Sequence, residues 1–195
     1  MPFYFLSVEH TKLQKKYGKE KGLRIAEILG LTSGWCFFLF LFGLWFSPQP
    51  QFLIPIFNFE LISFQLFYFS IQVFHIIISI PIIFIGAWFG IVGVKEITLK
   101  VAETHKPDRI IDTGIYSKFR HPQYLGAILS HIGISILLSS LYSLLTTPLI
   151  IFLIYIMSWK EEKELLKEFG QGYENYRRSV PMFFPRLKKR KMKST

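Results

Sequence analysis

From His121 through Trp159 the chain contains no Asp, Glu, Lys or Arg, and from Ile25 through Val94 it contains no Lys or Arg. A water-soluble domain cannot leave such lengths so nearly without charge, because each of its helices needs a polar face toward solvent. A bilayer removes that requirement. A spanning helix takes about 20 predominantly apolar residues and satisfies its backbone polar groups internally. The rest of the composition agrees, at 51% hydrophobic with 21 Phe in 195 residues. The expected fold class is an all-α integral membrane protein of one domain.

Charge orders the expected spans. Residues 1–24, 95–120 and 159–195 each carry more Lys and Arg than Asp and Glu, whereas the connections near 47–60 and 139–147 hold one charge, Glu60. Cytosolic loops concentrate Lys and Arg, so the three basic stretches are expected in the cytosol and the two neutral connections outside. That alternation needs an even number of spans; about four transmembrane helices is the simplest count, with both termini cytosolic. The same distribution decides against nucleic acid as the reason for a net charge of +10. The basic termini suit anionic lipid headgroups instead. With Cys36 as the one cysteine, neither an internal disulfide nor a cysteine-rich zinc site can form, and no metal is expected. The first apolar run is too long for the core of a cleavable signal peptide.

Three units follow: a basic interfacial segment over residues 1–24, with an amphipathic helix from about 8; a membrane-embedded domain over 25–185; and a basic tail over 186–195. The first span is expected at about 25–46, stopped by Ser47-Pro48-Gln49-Pro50. Residues 51–73 read as an interfacial segment leading into a second span at about 74–94, within which Pro81 is tolerable. Gly86, Gly90 and Gly93 share one face of that helix and are expected to pack against another helix. After a polar connection, a helical hairpin is expected at about 122–141 and 144–159. Its second arm should continue as a Glu-rich helix until Gly170 and Gly172 break it.

Polar chemistry gathers at the cytosolic ends of that hairpin. In the run from Gly114 to Gly126, Pro122 suits the first position of a helix. His121 then falls near the cap, where backbone N–H groups and the dipole favour a carboxylate or phosphate. Taken alone, Arg120 is a lipid-phosphate anchor, and Tyr116 and Tyr124 are interface aromatics; together they frame a site. Glu161 and Glu162 lie where a helix dipole opposes them, so a basic partner such as Arg120 or Lys160, or a cationic ligand, is expected beside them. Glu164 is expected to be solvated. His131, inside a span, is expected to hydrogen-bond a neighbouring helix. Leu165, Phe169, Tyr173 and Tyr176 recur at helical spacing and are expected to pack.

Tyr116 with Arg120-His121-Pro122-x-Tyr124-x-Gly126, followed by Glu161-Glu162-x-x-Leu165-x-x-x-Phe169-Gly170-x-x-Tyr173-x-x-Tyr176 and Val180-Pro181, resembles the isoprenylcysteine carboxyl methyltransferase family. The wider group includes the phospholipid N-methyltransferases, and the resemblance covers roughly residues 75–185. It implies a membrane methyltransferase dependent on S-adenosyl-L-methionine. The implied cofactor pocket faces the cytosol, between the connection before the C-terminal hairpin and the segment after it. Carried over by position, Asp108, Arg109, Ile110, Ile111, Tyr116, His121, Pro122, Gln123, Tyr124 and Glu162 would bind the cofactor. Glu161 and Arg120 would be catalytic, near the entry of a lipophilic acceptor from the bilayer. A cationic sulfonium suits carboxylate and aromatic neighbours, and in-line methyl transfer needs positioning rather than a covalent protein nucleophile.

The acceptor implied first is an isoprenylcysteine carboxylate. Phospholipid amines and thiols are alternatives, because the position one turn before Glu161, where carboxyl-methylating relatives can carry a basic residue, is Met157. Two rival readings are a sterol-type membrane reductase using NADPH, whose acidic residue would fall near Gly126, and a non-enzymatic membrane scaffold.

Overall fold

The computed structural model describes residues 2–52, 63–66, 69–97 and 107–184. Two short helices, α1 (Pro2–Val8) and α2 (His10–Tyr17), precede the long α3 (Lys19–Phe46) and α4 (Val73–Ile97). A 3-10 turn at Gly114–Ser117 leads into α5 (Pro122–Leu137), the short α6 (Leu141–Leu145), α7 (Thr147–Phe169) and α8 (Gln171–Ser179). The basic tail at 186–195, with its expected lipid contacts, and residues 98–106 of the polar connection lie outside the described residues.

Helices α3 and α4 are long and apolar enough to cross a membrane, yet only 17% of each apolar window is buried. A core helix of a soluble protein would hide those side chains. Here Leu39, Ile77 and Phe84 face outward, as hydrocarbon-facing residues do. The expected hairpin is also present, with α6 in its turn. Its first arm is a 16-residue helix, and its second carries its charged residues in the final turns. Helix α7 ends at Gly170, whose φ of 55° leaves the helical region. Gly172 does not break the chain as expected; it lies inside α8, where a Cβ would come 3.1 Å from Ile110 Cδ1.

The all-α expectation needs one correction. Strands β1 (Ser63–Leu66) and β2 (Phe69–Gln72) form an antiparallel hairpin, with Ser63 opposite Gln72 and Leu66 opposite Phe69, immediately before α4. Each four-residue strand alternates polar and apolar residues, the two-residue period of a sheet, and aromatic residues favour it.

Helices α4 and α5 form the most extensive helix pair in the fold, and small residues make it possible. A Cβ on Gly126 would lie 2.5 Å from the Gly86 carbonyl oxygen and 2.7 Å from the Gly90 nitrogen. One on Gly86 would lie 2.6 Å from Ser130 Oγ. Backbones this close gain dispersion contacts in place of the hydrophobic drive that lipid cannot supply. We therefore expect Gly126→Ala to lower the thermal unfolding midpoint in detergent, with an overpacking cost of about 1–3 kcal/mol. Gly43→Ala, at a helical site with nothing within 4 Å of a Cβ, should match or exceed the native midpoint. Equal midpoints for the two variants would disprove the tight seam.

A second set of contacts ties α3 to α5 and α6. His131, as expected, bonds a neighbouring helix: Trp45 Nε1 donates to its Nδ1 at 3.0 Å. Ser135 and Ser143 hydroxyls meet at 2.7 Å, and the Ser143 N–H donates to Gln49 Oε1 at 3.0 Å. Around them Leu41, Trp45, Leu125, Ile128, Ile150 and Ile154 form the main apolar cluster, which Phe183 joins from the far end of the chain.

The N-terminal segment, expected at the membrane interface, packs on α3 and reaches α7. Tyr4, Ser7 and Val8 are buried there. Gly22 allows α2 to lie flush on α3, since a Cβ would meet the Gln14 backbone at 2.6 Å.

Candidate active site

The site begins where α4 hands the chain to the 3-10 turn. Gly114 takes a φ of 53°, a conformation that favours glycine, and the Glu96 carboxylate occupies the space a side chain would need. That carboxylate accepts the Ile115 N–H at 2.9 and 3.0 Å. Tyr116 OH donates to the Gly93 carbonyl at 3.3 Å, and Tyr176 OH donates to the Tyr116 carbonyl at 2.7 Å. The turn is thereby fixed between α4 and α8. Next, the Arg120 and His121 N–H groups donate to the Pro181 and Met182 carbonyls at 3.0 and 3.3 Å. The His121 amide at the start of α5 is therefore used by the chain and is not offered to a ligand.

Four charged or titratable side chains then converge in a buried cluster. Arg120 Nε donates to Glu162 Oε1 at 2.8 Å and Nη2 to Oε2 at 3.3 Å, while Nη1 donates to the Arg177 and Val180 carbonyls, each at 2.6 Å. The base expected beside the glutamates is thus Arg120, on Glu162. His121 stands between the two carboxylates, with Nε2 3.2 Å from Glu162 Oε1 and Nδ1 3.4 Å from Glu161 Oε2. Neutral imidazole has one N–H and can donate to one of them; the imidazolium can serve both. Glu161 Oε1 accepts from the hydroxyls of Tyr124 and Tyr4. Arg120, His121, Glu161 and Glu162 are all less than 10% exposed.

Burial alone would raise the Glu162 carboxyl, but His121 and Arg120 outweigh it and hold it below the usual carboxylate value. Burial, followed by the neighbouring Glu161 charge, pushes the Tyr116 phenol up. Burial, with Glu162 next, does the same to Tyr173. Both phenols are therefore protonated donors.

Two spaces meet at this cluster. A narrow cleft of about 80 Å³ is lined by Arg109, Ile110, Ile111, Tyr116, Arg120, His121, Gln123 and Glu161, together with Ile97, Pro107, Leu165, Phe169, Tyr173 and Tyr176. An apolar cavity of about 720 Å³ opens among α3, α4, α5 and α7. Its walls include Trp35, Phe38, Ile91, Ile154 and Met157, and its polar lining comes from Tyr4, Lys95, Gln123, Tyr124 and Ser130. Gln123 lines both spaces, and its buried Oε1 has no hydrogen-bond partner among the described residues.

Most of the residues singled out from sequence are therefore brought together, with exceptions. Asp108 is exposed and does not line the cleft. Pro122 is buried against Gly93, Tyr124 faces the apolar cavity, and Glu162 sits behind the cleft on Arg120. Tyr173, Tyr176, Leu165 and Phe169, expected only to pack, do pack together but also form one cleft wall. Glu164 is not solvated as expected. It is 9% exposed, with Lys167 at 2.7 Å and Lys160 at 3.7 Å. Tyr4 carried no local signal, since an aromatic near an N-terminus is uninformative without its partner 157 residues away.

Comparison with known proteins adds an independent finding. The sequence profile of the phospholipid methyltransferases matches residues 74–172. The chain is 29% identical over 140 residues to a methanethiol S-methyltransferase of Crocosphaera subtropica, covering 70% of this chain and 53% of that one. It is 34% identical over 87 residues to a protein-S-isoprenylcysteine O-methyltransferase of Schizosaccharomyces pombe, covering 44% and 37%. A Xenopus laevis protein of the same name is 31% identical over 102 residues, covering 47% and 33%. The matched stretch thus spans between a third and about half the length of these relatives.

Proposed function

The chain belongs to the phospholipid methyltransferase family, and we propose that it is a multi-pass membrane enzyme, with both termini cytosolic, that methylates a lipophilic acceptor using S-adenosyl-L-methionine. The observation that carries this reading is the junction of the polar cleft and the apolar cavity at Gln123, with Glu161 beside it. Methyl transfer between a polar cofactor and an apolar acceptor needs two entrances and one meeting point. These residues provide that arrangement.

The cleft's chemistry fits the cofactor. Gln123 Oε1, a buried acceptor without a partner, suits an ammonium or hydroxyl donor. Tyr116, Tyr173 and Glu161 suit a sulfonium, Arg109 suits a carboxylate, and Ile110, Ile111, Leu165 and Phe169 suit a flat base. Admission of a molecule that size requires the cleft to widen between α8 and residues 107–111. When bound, the cofactor supplies an electrophilic methyl group. The protein's share is positional: His121 and Arg120 hold the two glutamates, and the apolar walls exclude water. Glu161 faces the acceptor's reacting atom and takes its proton where the acceptor has one to lose.

For the acceptor, the apolar cavity supports a prenyl chain, and with it methylation of an isoprenylcysteine carboxylate. A second reading has support from Met157, which stands in place of a base one turn before Glu161 and suits a thiol, while Lys95, which lines the same cavity, suits a carboxylate. The reductase alternative loses support because position 126 has no room for any side chain. Purified protein should bind S-adenosylhomocysteine but not NADPH by calorimetry. It should also pass labelled methyl to one class in a panel of prenylcysteine, thiol and phosphatidylethanolamine acceptors. Binding of NADPH, or of neither cofactor, would sink the proposal.

A further inference from the structure

Helix α1 is docked on the site at two adjacent positions of α7. Glu9, just beyond α1, holds Lys160 Nζ at 2.6 Å. At the neighbouring residue, Tyr4 OH donates to Glu161 Oε1 and lies 2.9 Å from Tyr124 OH, which donates to the same oxygen. Tyr4 is 3% exposed, yet it also lines the apolar cavity. Its hydroxyl therefore stands between the cavity and the carboxylate. Burial first, and the Glu161 charge second, push the phenol well up, so it remains a donor.

Building on the methyl-transfer reading above, we infer that Tyr4 is a positioning residue of the reaction: it fixes the Glu161 carboxylate toward the acceptor and favours its ionised form. The two phenols share Oε1, while Oε2 lies 3.4 Å from His121 Nδ1, so both oxygens are held in place. Titratable groups around Glu161 also include Tyr116 from the 3-10 turn and Tyr173 from α8, with Lys160 and Glu162 adjacent to it in sequence on its own helix. None of these contributes a hydroxyl from the cavity side. The N-terminal segment is thus part of the active site, not a detachable membrane anchor.

The test uses the full chain in detergent. The Glu161 carboxylate band is assigned in the infrared by its loss in Glu161→Gln, and its titration is followed in the native protein and in Tyr4→Phe, which keeps the ring. Losing a charge-assisted donor should raise the midpoint by about one pH unit. Turnover should fall about fivefold or more at unchanged cofactor KM, and the acid limb of its pH profile should move the same way. Replacing Tyr4 by 3,5-difluorotyrosine, a stronger donor, should move the midpoint in the opposite direction, a sign that a packing role cannot produce. An unchanged midpoint in both variants overturns the inference. A shifted midpoint in a protein that methylates nothing supports the Tyr4–Glu161 coupling and defeats the methyltransferase reading instead.

Discussion

Glu161→Gln should lower methyl transfer about a hundredfold or more while leaving S-adenosylhomocysteine affinity within about twofold. Glu161 meets both spaces of the site, through the cleft it lines and through the tyrosines of the cavity. Glutamine keeps the shape and one carbonyl acceptor but removes the charge and the ability to take a proton. Removing one preorganised electrostatic contact to a transition state typically costs about 2.7–4 kcal/mol, and such a loss appears in turnover, not in binding. Cofactor affinity should survive because most of the cleft wall comes from other residues. Glu164 cannot serve as the silent control, since it is buried between Lys160 and Lys167. Glu168, exposed on the same helix, can. Equal losses from Glu161→Gln and Glu168→Gln would mean that the acidic run acts only as a charged surface.

What was legible in the sequence, and what was not, divides along physical lines. Long uncharged runs dictate membrane-length helices because burial in lipid leaves no alternative, and α3 and α4 follow from them. Glycines on one helical face dictate close approach, and the α4–α5 seam follows from Gly86 and Gly126. Adjacent glutamates at a helix end demand compensation, and Arg120 supplies it. By contrast, the β1–β2 hairpin rests on a two-residue alternation only four residues long in each strand, which a surrounding aromatic run conceals. Tyr173 and Tyr176 were read correctly as a packed face, but spacing cannot say that a packed face also borders a cleft. The role of Tyr4 depends on a contact across the whole chain, and nothing local to residue 4 encodes it. The burial of Glu164 is hidden for the same reason: one of its two lysines, Lys160, also serves Glu9 near the N-terminus.

Arg120→Met should be the most destabilising single change in the site. The guanidinium makes four hydrogen bonds in a setting that is 9% exposed: two to Glu162 and two to the carbonyls of Arg177 and Val180. Methionine fills comparable volume but leaves a buried carboxylate with His121 as its remaining partner among the described residues and takes the guanidinium donor away from two carbonyls. Breaking one side of a buried pair costs about 3–5 kcal/mol, which for a domain of this size lowers the unfolding midpoint by about 10 °C. Removing both charges in Arg120→Met/Glu162→Leu should recover part of that loss, because no uncompensated charge remains. Strict additivity of the two single changes would show that they do not act as a pair. His121 first, and Arg120 second, also give Glu162 a pH dependence. Glu162 is held below its ordinary value of 4.5 in the folded protein, so its contribution is complete above that value and fades as pH falls through the lowered one. Acid destabilisation below about pH 4.5 should therefore be shallower in Arg120→Met than in the native protein, as followed by thermal midpoints between pH 3 and 7. An unchanged slope would mean that His121, the larger of the two influences, holds the Glu162 carboxyl down without Arg120.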